Sequence, residues 1–298
     1  MLDFTKYKFP CTSLGKISSN SRAVLSDSSS IKLGRLQMKE INGKEFTEEE
    51  EIKFKKLLKL RENSEKNGIV LSAATETFLK GIYIKERYGS RYNLIKAEKG
   101  EGVPQMVRGI KTERDAVDLL SEIDNSKYYI YKKQIENDYL VGKLDVIDKP
   151  TVEQATKIFD IKSASSIIDF FDKIDAHFTK SNMLQMQGYF AITGIYYGEI
   201  VHCLVGEPKS VIEEQEQLLF NKMCPDGIKT DKFVKAWRLA KDSMLFNDIP
   251  KRDRIKSKII TRDDEAIDLI YETISTCRNW LQSYHEIHET YITKRYIE

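Results

Sequence analysis

The chain has 298 residues, 41% hydrophobic and 32% charged, with 15 Tyr and 13 Phe. That composition supplies a sizeable core, in two average domains or in one core with helical additions. The formal net charge of +2 is nearly neutral, so it neither announces nor excludes nucleic acid, which needs only a local basic channel. No apolar run approaches the roughly 18–20 residues of a membrane span. The opening MLDFTKYKFPCTS lacks a signal-peptide stretch, so a cytoplasmic location and no membrane partner are expected. Cys11, Cys203, Cys224 and Cys277 are scattered without the close spacing of a zinc or redox motif, and read as reduced thiols.

In chain order, the first 35 residues read as irregular, with a Ser-rich stretch, SSNSRAVLSDSSS. From Phe46 the pattern turns helical. Thr47 is placed to cap an acidic first turn, and Asn67-Gly68 to stop the helix. Ser72 to Tyr88 reads as a second amphipathic helix ended by Gly89, and Lys96 to Arg108 as loop. Thr112 with Asp115 resembles a loose capping box for a helix whose apolar face is Ala116, Val117, Leu119, Leu120 and Ile123. Extended segments follow at Lys127–Ile135, Asp138–Ile147 and Lys157–Lys162. Helices are expected over Ser166–Ile174 and Asn182–Tyr197, a strand over Glu199–Val205, an extended segment near Ile255–Ile260, and a long helix from about Asp263. This order describes an α/β core with helical flanks. The expected division is a 1–70 extension, a 71–210 core and a 211–298 helical extension.

The chemistry is concentrated in Gly142-Lys143-Leu144-Asp145-Val146-Ile147 and in Phe159-Asp160-Ile161-Lys162-Ser163. Side chains alternate along a strand, so Asp160 and Lys162 share one face, and Asp145 shares one with Val141 and Ile147. A carboxylate inside an apolar strand pattern is costly unless paired or bound to a cation. Two such strands side by side would bring Asp145 and Asp160 together, and a divalent cation relieves their repulsion. Mg²⁺ suits the arrangement, because it takes oxygen ligands and completes its shell with waters and phosphate oxygens. Lys162 could steady an attacking water or a charged transition state. Glu113 shares a helix face with Val117 and Leu120. Gln185 and Tyr189 are four apart on another helix, and Gln185 could hydrogen-bond a metal-bound water or the scissile strand. A D-x-K triplet alone is weak in so charged a chain; order and spacing make the set specific.

That ordered set resembles the PD-(D/E)XK nucleases, particularly the branch of phage lambda exonuclease, YqaJ-type viral recombinases and RecB-like nuclease domains. Arg108-Gly109-Ile110-Lys111-Thr112-Glu113 with Ala116 looks like the branch's R-G-x-x-x-E-x-x-A helix. Gly142 to Ile147 looks like its G-x-x-D strand, Asp160 to Ser163 its (D/E)-x-K strand, and Gln185 to Tyr189 its Q-x-x-x-Y helix. The match runs from about Ser72 to Gly206. The resemblance implies a restriction-endonuclease-like core, a central mixed β-sheet flanked by helices, with helical N- and C-terminal extensions. It implies metal ligation by Glu113, Asp145 and Asp160, water activation by Lys162, and support from Gln185, with Tyr189, Arg108 and Ser163 as further supporting residues. Mg²⁺, replaceable by Mn²⁺, is the implied cofactor, bound as one ion or two, and no iron–sulfur cluster is expected. The superfamily's proline is not beside Asp145, and no histidine precedes Asp145.

The implied activity is a DNA exonuclease of phage or mobile-element type, acting on duplex ends or single strands in recombination or repair. It would work in a bacterial or phage-infected cell, with a homo-oligomer and a single-strand annealing protein as partners to consider. An endonuclease of repair, restriction or CRISPR-adaptation type uses the same residues, and a catalytically silent DNA-binding subunit would keep the same fold. The site chemistry leaves RNA open as well. Lys80, Lys85, Arg87, Arg91 and Lys96, interleaved with Tyr83, Tyr88 and Tyr92, read either as a solvated helix face with the tyrosines packed inward or as a groove that tracks phosphates and stacks on bases.

Overall fold

Thr47 does cap the helix that follows it. Its Oγ1 accepts from the Glu50 backbone N–H at 3.3 Å, and the Glu50 carboxylate accepts in return from the Thr47 N–H at 3.0 Å. This reciprocal pair satisfies two backbone donors that a helix start would otherwise leave open. The computed structural model describes residues 2–18, 27–67, 69–89, 104–164, 166–175 and 178–295. For 27–31, 60–61, 63–67, 104–110, 173–175 and 292–295 it describes the backbone only. Contacts divide the chain into two units, Met1–Tyr92 with Asp264–Glu298, and Asn93–Asp263. These units cut across the expected boundaries at 70 and 210.

The first unit is mainly helical, with helices α1 (Leu14–Ser18), α2 (Asp27–Ile41), α3 (Glu48–Asn67), α4 (Ala73–Tyr88) and α10 (Asp264–Arg295), and a short strand β1 (Phe9–Pro10). The first 35 residues are therefore not irregular throughout: α1 and the start of α2 lie within them. Residues 19–26 of the Ser-rich stretch lie outside the described residues. Ser72 caps α4 by accepting from Thr75 N–H, and Gly89 ends it at φ +86°, a left-handed value open to glycine. The apolar stripes of α2 and α3 meet through Leu33, Leu36, Phe54 and Leu57.

The second unit is a mixed sheet between helices. Its strands are β2 (Tyr129–Ile130), β5 (Val146–Ile147), β6 (Lys157–Ala164), β7 (Tyr197–Leu204) and β8 (Ile255–Thr261), in the order β2-β5-β6-β7-β8. Only the β6–β7 pair is parallel; the others are antiparallel. β3 (Gln134–Glu136) and β4 (Leu140–Lys143) form an antiparallel hairpin in a second sheet. The continuous strands expected over Lys127–Ile135 and Asp138–Ile147 are thus each broken in two. At Leu144–Asp145 the chain crosses between sheets: the Leu144 side chain is buried, and the Asp145 carbonyl accepts from Tyr131 N–H at 2.9 Å.

Helix α5 (Pro104–Ile123) covers one face of the sheet, packing Ala116, Val117, Leu119 and Leu120 on Val146, Phe159, Val201 and Cys203. It begins at Pro104 rather than at Thr112, so Thr112 and Asp115 lie inside the helix and form no capping box. A proline in the first turn needs no hydrogen-bond partner for its nitrogen. Residues 96–103 of the expected loop lie outside the described residues. The opposite face carries α6 (Ile167–Asp175) and α7 (Lys180–Thr193), which connect β6 to its parallel neighbour β7. α8 (Lys209–Met223) and α9 (Asp231–Leu245) follow β7. No helix of the described residues is long and apolar enough to cross a membrane.

α7 approaches the sheet over Gly198. A Cβ built there would lie 2.7 Å from Met186 Sδ and 2.8 Å from Phe190 Cζ, closer than van der Waals contact allows. Gly198→Ala is therefore expected to destabilise the protein by about 1–3 kcal/mol through overpacking. Urea denaturation of the variant beside the wild-type protein measures this, and an unchanged midpoint would show that α7 gives way freely.

Candidate active site

β6 places the central carboxylate. Its side chains alternate, so Phe159 and Ile161 join the α5 core while Asp160 and Lys162 face α7. Asp160 is 1% exposed. Its Oδ1 accepts from Lys162 Nζ at 2.9 Å and from Gln185 Nε2 at 3.1 Å. Gln185 Nε2 also donates to the buried Tyr189 hydroxyl at 2.8 Å. The four-residue spacing read on α7 therefore forms a relay ending on Asp160. Gln185 holds the carboxylate itself, where a metal-bound water or a substrate strand was the expected partner.

Asp145 arrives from the sheet crossing. Antiparallel pairing of Val146 with Phe159 puts Asp145 next to Asp160 as the two strands continue. The register is tied further along by Asp148, whose Oδ1 accepts from Thr156 N–H at 2.9 Å and Lys157 N–H at 3.1 Å. Because β5 stops short of it, Asp145 is free to turn its side chain into the ladder. There Oδ2 accepts from Ile161 N–H at 3.0 Å.

Two carboxylates at one half-buried spot perturb the groups around them. Burial, followed by the charge of Asp160, pushes the Asp145 carboxyl up to about 7, against the opposing pull of Lys162 and of the Ile161 N–H. Burial alone would lower the Lys162 ammonium. The charges of Asp160 and Asp145 and the Asp160 hydrogen bond outweigh it and raise the group above its usual value. Lys162 is thus held protonated, suited to donate hydrogen bonds and unsuited to accept a proton. Asp160 Oδ2 is buried and has no hydrogen-bond partner among the described residues. An orphaned carboxylate oxygen beside a second carboxylate fits a hard divalent cation, which binds through one or two carboxylates and keeps the rest of its shell for water and phosphate. Asp145 and Asp160 are the residues that could hold it.

Other expected members stand elsewhere. Among the described residues no three Asp, Glu, His or Cys side chains come together as a metal cage, so Glu113 does not join the pair. Glu113 instead lines a cavity of about 860 Å³ with Arg114, Lys127, Tyr129 and Lys132. Ser163 follows the strand alternation to the α5 side, away from Asp160. Arg108 lies in α5 where only the backbone is described. Of the basic and aromatic run, Arg91, Tyr92 and Lys96 lie outside the described residues. Within the first unit Arg87 is paired with Glu289 and Tyr83 is buried. The sequence reading missed His202, which is buried beside Lys162 on the neighbouring strand with its ring 5.1 Å from that of Phe178. Only the β6–β7 register reveals it.

Among solved structures, a phage-related exonuclease from Haemophilus somnus 129PT aligns with 95% of this chain and 97% of its own, at a TM-score of 0.59 and 18% identity. An alkaline exonuclease from Laribacter hongkongensis, LHK-Exo, aligns over 75% of this chain and 87% of its own, at a TM-score of 0.49 and 14% identity. LHK-Exo in complex with dAMP aligns over the same shares, at a TM-score of 0.48 and 15% identity. The chain has the fold of the Haemophilus protein, a mixed α/β architecture with helices flanking the sheet. No family model and no curated protein sequence matches it.

The raised Asp145 pKa has a measurable sign. Below about pH 4 the carboxyl is neutral in both folded and unfolded chains and costs nothing. Between about pH 4 and 7 the unfolded chain ionises this carboxyl while the folded protein keeps it protonated, so the group removes stability across that window and the loss is complete above about pH 7. In metal-free buffer Asp145→Asn is expected to stabilise the protein by about 1–3 kcal/mol at pH 8 and hardly at all at pH 4. Urea denaturation in EDTA at both pH values measures the difference; equal effects would refute the assignment.

Proposed function

We propose that this protein is a divalent-metal-dependent deoxyribonuclease of exonuclease type, acting on DNA ends in recombination or repair. The observation that carries this reading is the buried Asp160 carboxylate, with Oδ1 committed to Lys162 and Gln185 and Oδ2 open beside Asp145. The likeness of fold to a phage-related exonuclease supports the same direction.

Each residue then has a distinct task. Asp145 and Asp160 would hold Mg²⁺, or Mn²⁺ in its place. When bound, such an ion lowers the pKa of a water and offsets negative charge on a phosphate. Lys162, about one-third exposed and kept protonated by the two acids, presents N–H donors toward the open side, where the charged pentavalent arrangement of a phosphodiester under attack needs them. Gln185, itself tied to Tyr189, fixes the orientation of Asp160 through Oδ1 and leaves Oδ2 without a hydrogen bond from the described residues. Glu113 lines the separate cavity beside Arg114 and Tyr129 and, among the described residues, completes no three-residue cage with the pair.

The test is a nuclease assay on end-labelled linear DNA and closed circular DNA with Mg²⁺, Mn²⁺ or EDTA. Metal-dependent loss of the linear substrate alone is expected, with Lys162→Ala reducing the rate about 100- to 1000-fold. Cleavage of closed circles would replace the exonuclease reading with an endonuclease one. Absence of cutting on every DNA with either metal would overturn the proposal.

A further inference from the structure

The segment leading into β8 and the start of the strand itself hold a basic run. Lys251, Arg252, Arg254, Lys256 and Lys258 lie within eight residues, with Asp253 the one acid among them. The register fixes where the two strand lysines stand. Lys258 is opposite Ile200 and Lys256 opposite His202 on β7, and those residues are in turn beside Asp160 and Lys162 on β6. Directly paired residues share a face of a sheet. Lys256 and Lys258 therefore occupy the Asp160 face, two strand spacings, or about 10 Å, from Lys162 and Asp160.

Both lysines are exposed, and neither has an ion-pair partner among the described residues. Nearby cations behave differently: Lys157 is paired with Glu199, and Lys251 with Glu122. Lys258 Nζ lies 5.9 Å above the Phe178 ring, and that ring packs on His202, so an aromatic bridge runs from the strand edge toward the row of Lys162. A lysine on an edge strand has an ordinary role, to discourage pairing with another chain. That role does not call for both lysines on the Asp160 face, while the other face of β8 exposes Ser257 and Ile259. Alternate side chains on a strand repeat every ~7 Å, comparable with the spacing of successive phosphates along one extended nucleic-acid strand.

We propose that Lys256 and Lys258 form a phosphate rail, holding the DNA backbone on the β8 side of the active site one or two phosphates from the bond to be cut. The proposal rests on the deoxyribonuclease reading above and adds the direction in which the substrate leaves the site.

Binding of a labelled DNA oligonucleotide, followed by fluorescence anisotropy with Ca²⁺ in place of Mg²⁺ across a salt series, tests it beside steady-state cleavage with Mg²⁺. The Lys256→Gln/Lys258→Gln variant is expected to bind about 10- to 30-fold more weakly at 0.15 M salt, with the log–log salt slope flattened by about 1.4–1.8. The loss falls on KM more than on kcat. Each single variant gives about half the slope change, which keeps the test valid if the double variant folds poorly. Lys235→Gln/Lys241→Gln, the same charge change on exposed positions of α9, leaves the slope unchanged. If wild-type protein cuts DNA and the β8 variant keeps its affinity and slope, the rail is overturned and the nuclease reading stands. Aggregation of the variant with unchanged affinity would mean edge protection only. If wild-type protein neither binds nor cuts DNA, both readings fall.

Discussion

Asp145 and Asp160 meet where two strands of a sheet run out of pairing, one carboxylate almost completely buried and the other half-buried. Like charges brought this close in a weakly polar setting repel, and the surrounding structure is arranged around that conflict. Lys162 answers part of it with an ammonium, Gln185 with an amide, and the Ile161 backbone with an N–H. What they leave open is a single buried oxygen. A protein that needed only stability could replace such a pair with apolar side chains at no loss. Retention of an incompletely answered charge is the physical basis for reading the site as functional.

The scaffold serves this spot from three directions. β6 supplies Asp160 and Lys162 by simple alternation, the sheet crossing supplies Asp145, and α7 supplies the restraining amide. Each contribution depends on a local choice elsewhere. The crossing depends on the Asp148 clasp and the buried Leu144, and the reach of α7 depends on a missing side chain at Gly198. The neighbouring β7 and β8 extend the same face outward, changing from buried Ile200 and His202 to exposed lysines within one strand spacing.

Much of this was legible in the sequence where short-range geometry decides. Alternation in Phe159-Asp160-Ile161-Lys162 gives the faces of β6, and the four-residue step from Gln185 to Tyr189 gives one face of α7. Thr47, Ser72 and Gly89 mark helix ends by their own backbone chemistry. Thr112 and Asp115 look like a cap, yet α5 starts at Pro104, which carries the better signal. The break at Leu144–Asp145 leaves no mark, because an apolar–acid step continues a strand pattern as well as it interrupts one. Long-range pairing was the harder part. Glu113 lies on a core-facing stripe yet does not meet the aspartates, and His202, Lys256 and Lys258 gain meaning only from the β6–β7–β8 register.

The first unit is not one continuous stretch: α1 and α4 pack against α10, and the whole of the second unit lies between them in the chain. A ribosome therefore releases every strand and helix around Asp160 before it makes the last piece that the first unit requires. The second unit can assemble during synthesis, while the early helices wait for a partner some two hundred residues downstream, a contact with a large loop-closure cost. Order of manufacture and order of completion run in opposite directions here, and the surfaces of α1 and α4 that meet α10 wait for it through most of the chain's elongation.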